Sequence, residues 1–296
     1  MLWALFTLLA AAAQTLRNAM QRDLTERLGI VGATHVRFLF GFPFALILLA
    51  LMAIVTSEAL PPVSLAILPP VAIAALAQIG ATALMLAAMQ TKSFVVTTAY
   101  TKTEPVLVAL FGLLVLGDQL SPAIASAIAI ATFGVMLTAW PRESTGWSMR
   151  ALALGLFSAA LFAIAAIGFR AAIRALPEGG FGIRASTILV LGLGFQAATL
   201  SLWLAFTDRP ALAAIARAWR PSLLAGFLGA LASQFWFLGF ALTSAANVRT
   251  LALVEVFFAR IVSGKMFREV PSKREGLGLV LIVIGVAILL NLSVAG

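Results

Sequence analysis

Apolar residues in this chain run in long blocks of about 20, separated by short polar breaks, with no alternation of period two along them. Blocks of that length suit helices crossing a bilayer, because about 20 residues at the helical rise cover its hydrocarbon core. The absence of alternation argues against a membrane barrel. Ten spans are predicted, over 2–20, 32–55, 66–90, 95–116, 121–140, 149–173, 183–206, 221–242, 247–267 and 275–293. The breaks carry turn and charge signals, as in "QRDLTERLG", "SEALPP", "GDQLSP", "WPRESTGW", "LPEGG", "TDRP" and "FREVPSKREG". The opening "MLWALFTLLAAAAQ" ends like a signal peptide, but no basic stretch precedes it and the apolar run continues to Leu16, so it is read as the first span.

A shift of 151 residues superposes a series of landmarks. Gly41 falls on Gly192, Phe44 on Phe195, Ser93 on Ser244, Glu104 on Glu255, Asp118 on Glu269, Ser121 on Ser272 and Gly134 on Gly285. A constant register over several spans marks an internal repeat. Two five-span halves follow, 1–146 and 147–296. An odd number of spans forces the second half to enter the membrane in the opposite sense. The expected fold is therefore all-α and integral to the membrane, ten transmembrane helices forming two inverted repeats around a central cavity. Secondary transporters use that architecture and bind their solutes at the midplane between the repeats.

Composition agrees with this reading. Of the 296 residues 62% are hydrophobic and only 10% charged, too few polar groups to clothe a soluble domain. The net charge of +9 is scattered over short loops, which argues for membrane topology and against nucleic acid. Arg22, Arg27, Lys92, Arg142, Arg150, Arg209, Arg217, Arg220, Arg268, Lys273 and Arg274 fall on one side, and mainly Arg174 and Arg184 on the other. The positive-inside rule then places both termini outside the cell. The chain has no cysteine, one histidine and no phosphate-binding loop motif, so no catalytic cluster, metal or cofactor is expected and an ATP-driven pump is excluded for this chain alone.

Ionisable residues inside a span mark function by default, since burying a charge in lipid costs several kcal/mol. Glu104 lies near the middle of the fourth span and shares a helical face with Thr97, Tyr100 and Thr101. That polar stripe is expected to line the substrate cavity; the competing reading is a hydrogen bond that only joins two helices. Lys102, on another face, suits either a substrate carboxylate or a carboxylate of another span. Glu255 has apolar neighbours on its own face, with Arg249 and Arg260 as possible partners, and is a candidate for proton coupling with Glu104 and His35. Pro105 removes a backbone hydrogen bond and is expected to kink the fourth span. Gln14 and Asn18 share a face of the first span, Gln78 and Thr82 one of the third, and Gln234 lies in the eighth beside Trp236; all extend the proposed cavity. For each of these amides a single bond to a neighbouring helix is the alternative. Trp3, Trp140 and Trp147, at span ends, read as interface anchors.

The run "TEPVLVALFGLLVLGDQLSPAIASAIAIATFGVML" resembles the EamA signature of the drug/metabolite transporter superfamily. Glu104 and Pro105 match its start, Gly117 and Asp118 its G-E pair, and Gly134 and Val135 its G-V step. The second copy, "VEVFFARIVSGKMFREVPSKREGLGLVLIVIGVAIL", keeps Glu255, Glu269, Gly285 and Val286, with Val256 for the proline and Arg268 for the glycine. The resemblance implies an exporter of small metabolites or toxic compounds in the bacterial inner membrane, working by alternating access. The YddG-type amino-acid exporters are the most similar in kind, which implies aromatic and other neutral amino acids as substrates. An exporter of cationic drugs by proton antiport is the alternative. The resemblance also implies an N-terminus inside, against the basic-residue count. The expected partners are a small-molecule solute and the lipid bilayer; nothing in the sequence sets the oligomeric state, and a monomer is compatible with it.

Overall fold

A computed structural model describes residues 1–91, 94–138, 148–262 and 273–295. The regular structure of the described residues is all helical, with no strand among them. In chain order the helices are α1 (Leu2–Leu39), α2 (Gly41–Thr56), α3 (Leu68–Met89), α4 (Phe94–Thr101), α5 (Glu104–Leu116), α6 (Pro122–Thr138), α7 (Met149–Ala175), α8 (Phe181–Thr207), α9 (Arg209–Arg217), α10 (Trp219–Leu242), α11 (Ala245–Leu251), α12 (Glu255–Val262) and α13 (Lys273–Ala295). Among the described residues seven segments are long and apolar enough to cross a membrane, the first of them the 55-residue stretch Leu2–Thr56; Pro122–Thr138 is a shorter apolar helix. Large apolar side chains such as Ile54, Val55, Leu114, Phe157 and Phe206 point outward. In a bilayer that surface meets lipid.

The first break differs from expectation. "QRDLTERL" is helical, and the chain reverses only at Gly29, whose φ of 70° and ψ of 174° suit a residue without a Cβ. The reversal is visible in one bond. Gln21 Nε2 donates to the Ala33 carbonyl at 2.9 Å, across twelve positions that an unbroken helix would separate by about 18 Å. The polar run marks a break between spans, but Gln, Arg, Glu and Leu are good helix formers, and Asp23 pairs with Arg27 one turn on at 3.7 Å. A second unforeseen element is α9, a surface helix in the "TDRP" break, capped by the Asp208 carboxylate accepting from Ala211 N at 3.1 Å. Trp3 is buried in the core rather than anchored at an interface. Trp140 and Trp147 lie outside the described residues.

Helix pairs pack in a recurring scheme. α1 lies along α10, α3 along α7, α2 along α8, and α6 along α13. Small residues set the last contact. A Cβ at Gly134 would stand 2.6 Å from the Gly278 carbonyl oxygen, and one at Gly285 would stand 2.7 Å from that of Ala127. Backbones this close leave no room for a side chain, as is usual where helices associate in lipid.

The fourth span is interrupted. α4 ends at Thr101 and α5 begins at Glu104, with Thr103 between them at φ −76°, ψ −9°. Pro105 therefore occupies the first turn of α5, where its missing N–H forfeits no helical bond. The break falls before the proline rather than at it. The corresponding place in the second half is broken as well, without a proline: α11 passes through a 3₁₀ turn over Ala252–Val254 into α12. Glu104 and Glu255 each stand in the first turn of the helix that follows a break. The positive end of a helix dipole favours a carboxylate there.

Candidate functional site

The two breaks meet. α5 packs on α11 and α4 on α12, so each glutamate faces a cation from the other half of the chain. Lys102 Nζ lies 2.8 Å from Glu255 Oε2, and both side chains are almost wholly buried. Gln14 Nε2 donates to the same carboxylate, at 2.9 Å to Oε1 and 3.0 Å to Oε2. Gln14 Oε1 in turn accepts from Trp236 Nε1 at 2.9 Å. The Glu255 carboxylate is thus held by three contacts from Lys102 and Gln14, and the Gln14 amide is in turn oriented by Trp236.

Glu104 is held less completely. Arg249 Nε stands 3.0 Å from Glu104 Oε1, but neither atom makes a hydrogen bond, so the pair is joined by charge without alignment. The Arg249 guanidinium lies over the Trp236 ring at 4.5 Å and over Phe240 at 5.2 Å. Aromatic faces of this kind hold a cation while leaving part of its donor fork unused. Of the two carboxylates, Glu104 keeps the greater capacity for a further donor.

Gln14, Asn18, Thr101, Lys102, Glu104, Arg249 and Glu255, with Met85 and Phe162, enclose a space of about 10 Å³, the room of a single water. Five of the expected cavity residues meet there with Glu255: Gln14, Asn18, Thr101, Lys102 and Glu104. Trp236 joins through Gln14. Tyr100 instead packs on α7, where a Cβ at Gly155 would collide with its own Cβ at 2.5 Å. Gln78 accepts from Gln196 Nε2 at 2.8 Å, and Gln234 Nε2 donates to Ser186 Oγ at 2.8 Å; both amides join helices at a remove from the enclosed space. Thr82 Oγ1 accepts from Arg37 Nη1 at 2.9 Å. His35 Nε2 lies 3.0 Å from Ser201 Oγ, on a separate contact with α8.

The partner of Lys102 is Glu255, not a residue of its own half, and Arg249 serves Glu104 rather than the neighbouring Glu255. Three buried cations have no place in the sequence reading, Arg17, Arg37 and Arg170. A signal for Arg17 exists in the sequence: Gln14, Arg17, Asn18 and Gln21 follow the spacing i, i+3, i+4, i+7 of a single helical face.

The Gly117–Asp118 pair has a different task. Gly117 ends α5 in the left-handed conformation, at φ 65°, and Asp118 N then bonds the Gly112 carbonyl at 3.0 Å. That turn aims the Asp118 carboxylate at Arg170 Nη1, at 2.8 and 2.6 Å, while Arg170 Nε donates to the Thr243 carbonyl at 3.0 Å. The turn after α5 is thereby fastened to α7 and to the end of α10. Asp118→Asn should lower unfolding stability by about 3 kcal/mol, the low end for breaking a buried pair, because Asp118 keeps some solvent contact. Thermal unfolding in detergent measures this, and an unchanged midpoint contradicts it. Glu269, the second copy of this position, lies outside the described residues.

Comparison with known proteins gives three findings. The model of the EamA-like transporter family matches residues 1–140 and again 149–291. No curated protein matches the chain. A solved structure titled only "Crystal structure of protein" is similar in fold, with a TM-score of 0.69 at 14% identity over 97% of this chain and 94% of that one.

Proposed function

The chain belongs to the EamA-like transporter family, a family of multi-pass membrane transporters of small molecules, and on that premise we propose that it exports amino acids by alternating access. The observation that carries the substrate class is the pairing of opposite charges around one closed space. Glu104, incompletely bonded, offers a site for an ammonium group, and Lys102 and Arg249 offer cations for a carboxylate. Binding a zwitterion exchanges protein–protein ion pairs for protein–solute ones without stranding a charge in the interior. The second reading, a cationic drug exchanged for protons through Glu104, Glu255 or His35, meets the buried cations Arg17, Arg37, Lys102 and Arg249.

Alternating access in this reading rests on two five-span halves, 1–146 and 147–296, related as inverted repeats, ten spans in all. Three observations support it. The family model matches twice, once in each half. The packing pairs exchange under the 151-residue shift: α1 with α10 becomes α7 with α3, and α5 with α11 becomes α12 with α4. The contacts of Gly134 with Gly278 and of Ala127 with Gly285 also exchange, as contacts across a two-fold axis do. Broken helices whose ends meet at the site are a recurring device of such transporters.

A vestibule of about 570 Å³ lies between α1 and the start of α10, lined by Met20, Arg22, Asp23, Leu24, Glu26 and Pro221. Arg27 and Arg220 adjoin its lining residues in sequence, and Arg22 lines it; these belong to the basic residues the positive-inside rule assigns to the cytoplasm, the side from which an exporter of the bacterial inner membrane loads. The test is flux in proteoliposomes loaded with labelled amino acids. Saturable release of an amino acid is expected. Release of cationic dyes with no amino-acid movement overturns the choice of substrate.

A further inference from the structure

We propose that Arg17 and Arg37 form a second anion-binding subsite, and that the solute carries two carboxylates. The proposal rests on the transporter reading above and narrows its substrate class.

The hairpin at Gly29 builds the subsite. With Gln21 bonded to the Ala33 carbonyl, the register of the two arms brings Arg17 opposite Arg37. Both stems run over one residue of α10. A Cβ at Gly229 would stand 3.2 Å from Arg37 Cγ and 3.4 Å from Arg17 Cδ, so a side chain there would crowd both. Arg17 is 0% and Arg37 1% exposed. Their bonded partners are neutral: Arg17 Nη2 donates to Asn18 Oδ1, and Arg37 Nη1 to Thr82 Oγ1. Arg17 Nε and Nη1 and Arg37 Nε have no hydrogen-bond partner.

This arrangement leaves a charge imbalance. Around the site Arg17, Arg37, Lys102 and Arg249 are buried with two carboxylates among the described residues, and those two are the ones engaged by Lys102 and Arg249. Buried unpaired charges cost several kcal/mol each, and two guanidinium groups side by side add repulsion. A carboxylate between them removes both penalties, and the planar donor forks of arginine suit its two oxygens. A neutral amino acid brings one carboxylate, which Lys102 or Arg249 already accommodates. A solute with a second carboxylate serves both places.

The spacing and the approach fit. Arg17 follows Gln14 by one helical turn, about 5 Å along the axis, a separation within reach of a short aliphatic diacid. Arg17 lies within Coulombic range of Glu255 and Arg249, and Arg37 of Arg17 and Arg249. Met20 and Leu24, three and seven positions beyond Arg17, line the vestibule, so the face that bears Arg17 leads directly from its wall.

The experiment compares labelled glutamate, glutarate, leucine and a quaternary ammonium dye in proteoliposomes, with wild-type protein and Arg37→Gln. Glutamate or glutarate is expected to move in preference to leucine; movement of glutamate alone shows that Glu104 also requires an ammonium group. Arg37→Gln should lower diacid uptake at sub-saturating concentration about tenfold or more, as loss of a charged hydrogen bond implies. Thermal stabilisation of the wild-type protein by glutamate or glutarate over chloride at equal ionic strength gives a reading that needs no variant to fold. Leucine flux without diacid flux, unaltered diacid flux in Arg37→Gln, or no stabilisation by either glutamate or glutarate overturns the second subsite while leaving amino-acid export standing. Dye flux alone, or no flux of any solute, overturns the reading on which it rests.

Discussion

Glu255→Gln should abolish transport and lower stability by about 3–5 kcal/mol, the range for removing one member of a buried ion pair. The substitution keeps the volume and removes the charge. Lys102 Nζ then stays enclosed with no anion at 2.8 Å, and the Gln14 amide donates to a neutral oxygen in place of a carboxylate. Most of the cost comes from the stranded lysine, not from the lost attraction. Adding Lys102→Met to Glu255→Gln should therefore recover most of the stability, since a neutral pair of similar volume carries no desolvation penalty. Transport should stay absent, because in the proposed reading Lys102 is one of the cations offered to the solute. Unfolding midpoints of the single and double variants decide the first point and flux the second. A Glu255→Gln protein as stable as wild type would mean that the Lys102–Glu255 contact is not a buried, coupled pair.

Much of the architecture is legible in the sequence because hydrophobic blocks and a fixed repeat are global signals. The helical segments and the positions of Glu104 and Glu255 could be read directly. What the repeat could not supply is the pairing. Lys102 falls on Leu253 and Arg249 on Thr98 under the 151-residue shift, so neither cation has a charged counterpart. Taken one half at a time, Lys102 and Pro105 set the first half apart from the second. In three dimensions Arg249 and Glu255 bring in the second half on equal terms, because the two interrupted helices cross at their breaks. The break before Glu255 was also hidden: proline marks only the first copy, and a 3₁₀ turn over Ala252–Val254 does the same work without one.

Polar stripes were legible as stripes but not as destinations. Gln14 and Gln78 look alike in sequence, each an amide on an apolar helix. Gln14 orients Glu255, whereas Gln78 bonds Gln196 across a helix contact. The difference lies in which helix each one faces, and that depends on packing over more than a hundred residues of separation. Arg17 and Arg37 were obscured for a related reason. Near a span end an arginine ordinarily reaches water along its stem, and only the fold-back at Gly29 turns these two inward against Gly229.

The central claim is that the space between the broken helices receives the solute and that Glu104 contacts it. Because Glu104 is paired with Arg249 at 3.0 Å without an aligned hydrogen bond, Glu104→Gln should disturb folding less than Glu255→Gln and disturb transport strongly. Losing a charged contact to the solute implies at least a tenfold fall in flux at sub-saturating concentration, about 1.4 kcal/mol or more. The direct measurement is amino-acid flux per folded molecule in proteoliposomes, for Glu104→Gln beside wild type, with folded yield determined on the same preparations. A fall in flux of that size at near-normal yield is the predicted result. Unaltered flux would contradict the account.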